Sequence, residues 1–171
     1  QKTGPGPDLV LPLWQSKFNR RIRLMMALTM YAEDPDELKK TLYGVAENCD
    51  ALVRAGELDW DQIVVTLVTD GLSRANDKTL AWLESINAFN SDVIDWAAQK
   101  WGVDKSDASV HCFESTVQLA KEDDAAVYHY PLQLVFYAKQ NNAGKLDSQR
   151  WAFYGLFDWL MPLMKRERTE L

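Results

Sequence analysis

Cysteine is nearly missing from this chain. Cys49 and Cys112 sit in separate apolar segments, with no C-x-x-C spacing, so neither a disulfide-stapled scaffold nor a zinc knuckle or dithiol redox pair is supported. Both thiols are expected to be buried and reduced. Clustered positive charge is equally scarce. Nineteen Lys and Arg against 25 Asp and Glu give a formal charge of −6, and Arg20-Arg21-Ile22-Arg23 is only a short basic run. Phosphate-backbone affinity needs many clustered cations, so nucleic acid is excluded as a partner. No apolar stretch reaches the roughly 18 residues of a membrane span, and the opening QKTGPGPDLV lacks a charged-then-apolar signal order. A soluble chain is the expectation. Internal repeats are absent. His111 and His129 have no second histidine at ligand spacing and read as structural. The pair Glu33-Asp34 reads as a helix start, not a cation site.

What is present fits one globular domain: 171 residues, 47% of them hydrophobic, suffice for one core and are few for two. Residues 1–21, Gly/Pro-rich over 1–8, read as a flexible arm, and 22–171 as the folded unit. Leu24 to Met30 is a continuous apolar run, the habit of a strand buried on both faces. Asp34 then caps a helix with Pro35 at its first position and Glu37 three residues on. Leu38, Leu42, Val45, Cys49 and Leu52 form its apolar stripe, and Gly56 closes it. Ile63 to Thr69 is a second buried strand, so the first unit is a parallel pair with a crossover helix. Two helical segments follow, DKTLAWLESINAF and SDVIDWAAQKWG, divided near Asn90 and Ser91. SVHCFES and YPLQLVFYAK read as strands, QNNAGK as a loop. Asp147 or Ser148 is placed to cap a last helix lined by Phe153, Leu156, Phe157, Leu160 and Met164, and kinked at Pro162.

Alternating strands and helices indicate an α/β layered domain. Ligands of open parallel sheets sit at the carboxyl ends of strands, here the loops after Met30, Thr69 and Ala138. Each carries groups suited to a nucleotide. A strand-end carboxylate such as Asp70 accepts hydrogen bonds from a base or ribose, and Gly71 lets backbone approach closely. Lys139 can neutralise a diphosphate as a point charge. On spacing alone, Asp70-Gly71 is equally the signature of a plain turn.

The order of four separated segments goes further. Thr29-Met30-Tyr31-Ala32-Glu33-Asp34, Thr69-Asp70-Gly71-Leu72, Ala138-Lys139-Gln140-Asn141-Asn142 and Asp147-Ser148-Gln149-Arg150-Trp151 resemble, in sequence order, motifs of the fungal and oomycete type of chitin synthase, a processive family 2 glycosyltransferase. The resemblance covers residues 24 to 162. It implies part of a GT-A (Rossmann-like) domain, a mostly parallel sheet flanked by helices, with UDP-N-acetylglucosamine as donor and chitin, a cell-wall polymer, as product of the family. Thr29, Tyr31 and Glu33 would border the uridine, Asp70 with Gly71 would meet the uracil or ribose, and Lys139 would approach the diphosphate; Lys145 and Arg150 lie in the matching loop and helix start. Mg²⁺ or Mn²⁺ is implied for the complete enzyme, and a location at the cytoplasmic face of the plasma membrane for a full synthase.

This chain departs from the pattern at Ala32, Leu72, Gln140 and Gln149, where the family carries Asn, Arg, Glu and His. It also lacks the family's D-x-D, E-D and Q-R-R-x-R-W segments. Transfer needs a metal on the leaving diphosphate and a base on the acceptor, so the chain as given is expected to be catalytically incomplete: a nucleotide-binding portion of a synthase, a pseudoenzyme, or an assembly module. Seven tryptophans, Trp151 and Trp159 among them, suit an interface. An apolar face covered by self-association or by another chain is expected.

Overall fold

The computed structural model describes residues 14–18, 20–102, 104, 110–120 and 127–155. Elements run α1 (Trp14–Lys17), β1 (Leu24–Met30), α2 (Pro35–Arg54), β2 (Ile63–Thr69), α3 (Asp77–Ser85), α4 (Ser91–Trp101), β3 (Val110–Val117), β4 (Leu132–Lys139) and α5 (Lys145–Arg150). One four-stranded sheet has the order β1-β2-β4-β3. β1, β2 and β4 are mutually parallel, and β3 returns antiparallel along β4. This is the layered, mostly parallel α/β architecture that the sequence implies.

Local chemistry explains the first unit. Asp34 accepts from the amides of Asp36 and Glu37 at 2.9 and 3.0 Å, and Glu37 accepts in return from the Asp34 amide at 3.3 Å. This reciprocal box, with Pro35 next, starts α2 where the sequence places it. The helix buries Leu38, Leu42, Ala46, Cys49 and Asp50. Val45 and Leu52 of the expected stripe are only half-buried, because the helix rotates toward Ala46 and a carboxylate.

Every residue of β2 and β4 is buried, as two central strands between helical layers must be. On one face Met30, Leu67, Phe136 and Ala138 pack with Leu38 and Leu42 of α2 and Leu83 of α3. On the other, Val64, Val68, Val135 and Tyr137 pack with Ile22, Ala152 and Trp151. β1 lies at one edge of the sheet and is half-buried along most of its length. Val93, Trp96 and Trp101 of α4 are exposed.

Three sequence expectations need correction. α3 stops at Ser85, and Asn87 takes φ 58° so that Ala88 and Phe89 turn into the core. Phe89 meets Phe113 and Phe136 edge-on at 5.2 and 5.6 Å. Cys49 is buried, whereas Cys112 on edge strand β3 is exposed. α5 begins at Lys145 after Gly144, whose φ is 88°, and neither Asp147 nor Ser148 caps it; both side chains turn to Lys139 instead. The chain continues from α5 as a wide helical turn, Trp151–Gly155, in which Phe153 is exposed and Ala152 buried. Leu156, Phe157, Trp159, Leu160, Pro162 and Met164 lie outside the described residues, as do residues 1–13 of the expected arm. The basic run is absorbed at the other end of the sheet. Arg20 donates to Gln133 Oε1 at 2.8 Å and stacks on Phe18 and Trp60, and Arg23 donates to the Glu57 carbonyl at 3.0 Å.

Candidate functional site

Parallel pairing aligns three strand ends in one row, Met30, Thr69 and Ala138. The loops that follow them therefore share one rim. Asp70 is the next residue on β2, and its amide donates to the Met30 carbonyl at 2.8 Å, which carries the ladder one step past the strand. Lys139 is the next on β4, so the two side chains are neighbours by register.

Lys139 Nζ lies 3.0 Å from Asp70 Oδ1, 2.5 Å from Asp147 Oδ2 and 3.2 Å from Ser148 Oγ. The lysine side chain is 3% exposed and that of Asp70 11%. Asp70 Oδ1 also accepts from the Ala143 amide at 3.2 Å. Burial by itself pushes the Asp70 carboxyl up; the Lys139 hydrogen bond and charge, the Ala143 amide and the Ser148 hydroxyl outweigh it and hold the carboxyl below its ordinary range. Asp70 is therefore a carboxylate in the folded protein at neutral pH.

Gly71 is required twice over. Its φ is 99°, and a Cβ there would stand 3.0 Å from the Asn142 amide nitrogen and 3.2 Å from Asn142 Cβ. The loop after β2 and the loop after β4 are thus docked backbone to backbone. Asn142 Oδ1 in turn accepts from the Gly144 amide at 3.0 Å, bracing the entry to α5.

The loop after β1 completes the rim. Thr29 pairs with Val68, and strand alternation sends its side chain away from Met30, to the α5 face that Lys139 also occupies. Tyr31 is exposed; its amide donates to the Glu33 carboxylate. The Glu33 carbonyl accepts from Thr79 Oγ1 at 2.7 Å, which fixes this loop to α3. Lys145 and Arg150 are exposed on α5.

Of the residues picked from sequence, Asp70 and Lys139 are in contact, Gly71 follows Asp70 and packs on Asn142, Thr29 lies near the end of β1, Tyr31 and Glu33 on the loop after it, and Lys145 and Arg150 on α5. Sequence reasoning missed Asp147, Ser148, Asn142 and Thr79. Asp147 and Ser148 had a signal, a place in the fourth family-like segment, but their residue types read first as helix caps. Among the described residues no group of three His, Cys, Asp or Glu is placed to hold a metal ion, and no helix is long and apolar enough to cross a membrane. Cavities away from the rim are found among the described residues. One of about 440 Å³ runs beside β3 between Glu84, Phe89 and Asp92, and one of about 580 Å³ is lined by Asp50, Arg54 and His129 before β4.

With this geometry in place, comparison with known proteins is informative. The family model for a chitin synthase-like glycosyltransferase domain matches residues 24–165. Chitin synthase 1 of Phytophthora sojae (strain P6497) is 34% identical over 156 residues, which is 84% of this chain and 16% of that protein. Chitin synthase 1 of Saccharomyces cerevisiae is 30% identical over 157 residues, 84% of this chain and 13% of that protein. Chitin synthase 1 of Mycosarcoma maydis is 29% identical over 167 residues, 85% and 18% respectively. The chain spans less than a fifth of the length of these curated relatives.

Proposed function

The chain belongs to the chitin synthase-like glycosyltransferase family, and from that premise we propose that its rim of strand ends binds the uridine diphosphate part of UDP-N-acetylglucosamine. One observation carries the reading. An ionised, mostly buried carboxylate, Asp70, is held where three parallel strands end, beside a glycine that admits close backbone approach. That is where open α/β sheets take nucleotides.

In this reading Thr29, Tyr31 and Glu33 border the uridine, Asp70 accepts from the uracil imide or a ribose hydroxyl, and Gly71 gives the ligand access to backbone. Lys139 belongs to the same corner, and Lys145 and Arg150 are exposed cations on α5, the helix that carries the Lys139 partners Asp147 and Ser148. The donor's leaving diphosphate calls for Mg²⁺ or Mn²⁺ in the family. The described residues offer no ligand cluster for such an ion, so no metal-assisted step is assigned to them. Nor is a general base assigned, and we propose that these residues bind donor without completing β-1,4-GlcNAc transfer. Location at the cytoplasmic face of a membrane follows from the family likeness and is part of the same proposal.

The exposed Val93, Trp96 and Trp101 of α4 favour a second element. We propose that another protein segment, from a second copy or a different chain, covers this apolar surface. Were nucleotide binding absent, that surface would leave an assembly module or pseudoenzyme as the reading.

Calorimetric titration with UDP, with and without Mg²⁺, tests the main proposal. Saturable binding is expected, weakened about tenfold or more in Asp70→Ala, the equivalent of ~1.4 kcal/mol. No heat and no NMR shift at millimolar UDP would refute it. Sedimentation of a strictly monomeric species that binds no hydrophobic dye would refute the covered-surface proposal.

A further inference from the structure

We infer that Lys139 is a positioning residue for Asp70 and not a ligand of the diphosphate; the inference rests on the nucleotide reading of the rim and specifies it. An ammonium has three N–H donors and no acceptor. All three have partners here: Asp70 Oδ1, Asp147 Oδ2 and Ser148 Oγ. The side chain is 3% exposed. For a phosphate oxygen to reach Nζ, one of these acceptors must be given up, and Asp70 among them is a buried carboxylate that would lose the charge compensating its burial. The surroundings also have the wrong sign. One ammonium sits between two carboxylates, which together repel an incoming diphosphate.

What the cluster does achieve is rigidity at the rim of strand ends. Lys139 joins the end of β4 to Asp70 after β2 and to Asp147 and Ser148 on α5, residues 69, 8 and 9 positions away. The Ala143 amide reaches the same Asp70 oxygen, and Asn142 packs on Gly71. Asp70 is thereby fixed in one ionised orientation, and the 140–144 loop is locked beside it. Asp147 and Ser148 act through Lys139 in the same way. Neutralising the diphosphate falls to the exposed Lys145 and Arg150 instead.

Uridine and UDP titrated separately into the 171-residue chain distinguish the two roles. Lys139→Met is expected to weaken both ligands by about the same factor, so that the ratio of UDP to uridine affinity stays within about twofold of wild type. Lys145→Ala combined with Arg150→Ala is expected to lower that ratio severalfold and leave uridine binding unchanged. In an Asp70→Asn background, Lys139→Met should have no further effect on uridine, a coupling that general destabilisation would not produce. Retained uridine affinity with a selective loss of UDP in Lys139→Met would overturn the inference. Should Lys139→Met fail to fold, Ser148→Ala and Asp147→Asn take its place: a parallel loss for both ligands supports the role, and an unchanged uridine affinity in both variants overturns it. Wild-type chain that binds neither uridine nor UDP would bring down the nucleotide reading itself, which is distinguishable from all these outcomes.

Discussion

Among the described residues, Asp50 and Asp70 are buried beside a basic side chain at opposite ends of the sheet, and they are built for different ends. Asp50 pairs with Arg54 one helical turn on, at 2.7 Å, and accepts from the Tyr130 amide at 3.2 Å. Its cation is 62% exposed, and its task is to tie the backbone that enters β4 to α2. Asp70 draws its partners from β4, the following loop and α5, and its cation is buried with it. A local pair open to water anchors a connection. A pair assembled from three chain segments makes a preorganised corner, at the end where open α/β sheets as a class take their ligands.

That contrast can be broken by substitution. The largest effect is expected from Asp70→Ala, which leaves Lys139 buried with half its charge compensation gone; denaturant unfolding should register a loss of about 3–5 kcal/mol. Asp50→Ala removes one backbone bond and a partner of an exposed arginine, and about 1–3 kcal/mol should be lost, with UDP binding unchanged. Next comes Gly71→Ala, where positive φ and the Asn142 backbone both oppose a Cβ; about 1–3 kcal/mol is expected. Gly56→Ala, at φ 75° with open space around it, should cost about 1 kcal/mol and spare the ligand.

Acid sensitivity gives a further test of the Asp70 corner. The Asp70 carboxyl is lowered in the folded state, so its contribution to stability is complete above its unfolded value of about 3.9 and is lost as pH falls from there through the lower folded value. Asp70→Asn should therefore flatten the dependence of unfolding free energy on pH below about 4. The smallest effect is expected at the exposed surface of α4: Trp96→Ala should change monomer stability by less than about 0.5 kcal/mol and show its consequence in association alone.

Much of this fold was legible because its signals are local. The Asp34 capping box, Pro35 and the unbroken apolar run of β2 are each written within a few residues, and the parallel crossover follows from them. The candidate site was legible in part, through Asp70-Gly71 at a strand end and the resemblance around it. What escaped is what tertiary contact decides. Asp147 and Ser148 have the side chains of helix caps, and only the arrival of Lys139 by β-sheet register explains why they cap nothing. Nothing local marks Asp50 as a buried position of α2, because its partner, the Tyr130 amide, comes from 80 residues away. Cys112 lies in an apolar strand, yet that strand takes the edge of the sheet.

Amide NMR mapping of UDP on the chain tests the central claim most directly, because it reads both ends of the sheet in one experiment. Shifts concentrated at Thr29, Asp70, Gly71 and Ala143, with Asp50 and Tyr130 unmoved, are the predicted result. Shifts centred on Asp50 and Tyr130, or none anywhere at millimolar UDP, would contradict it.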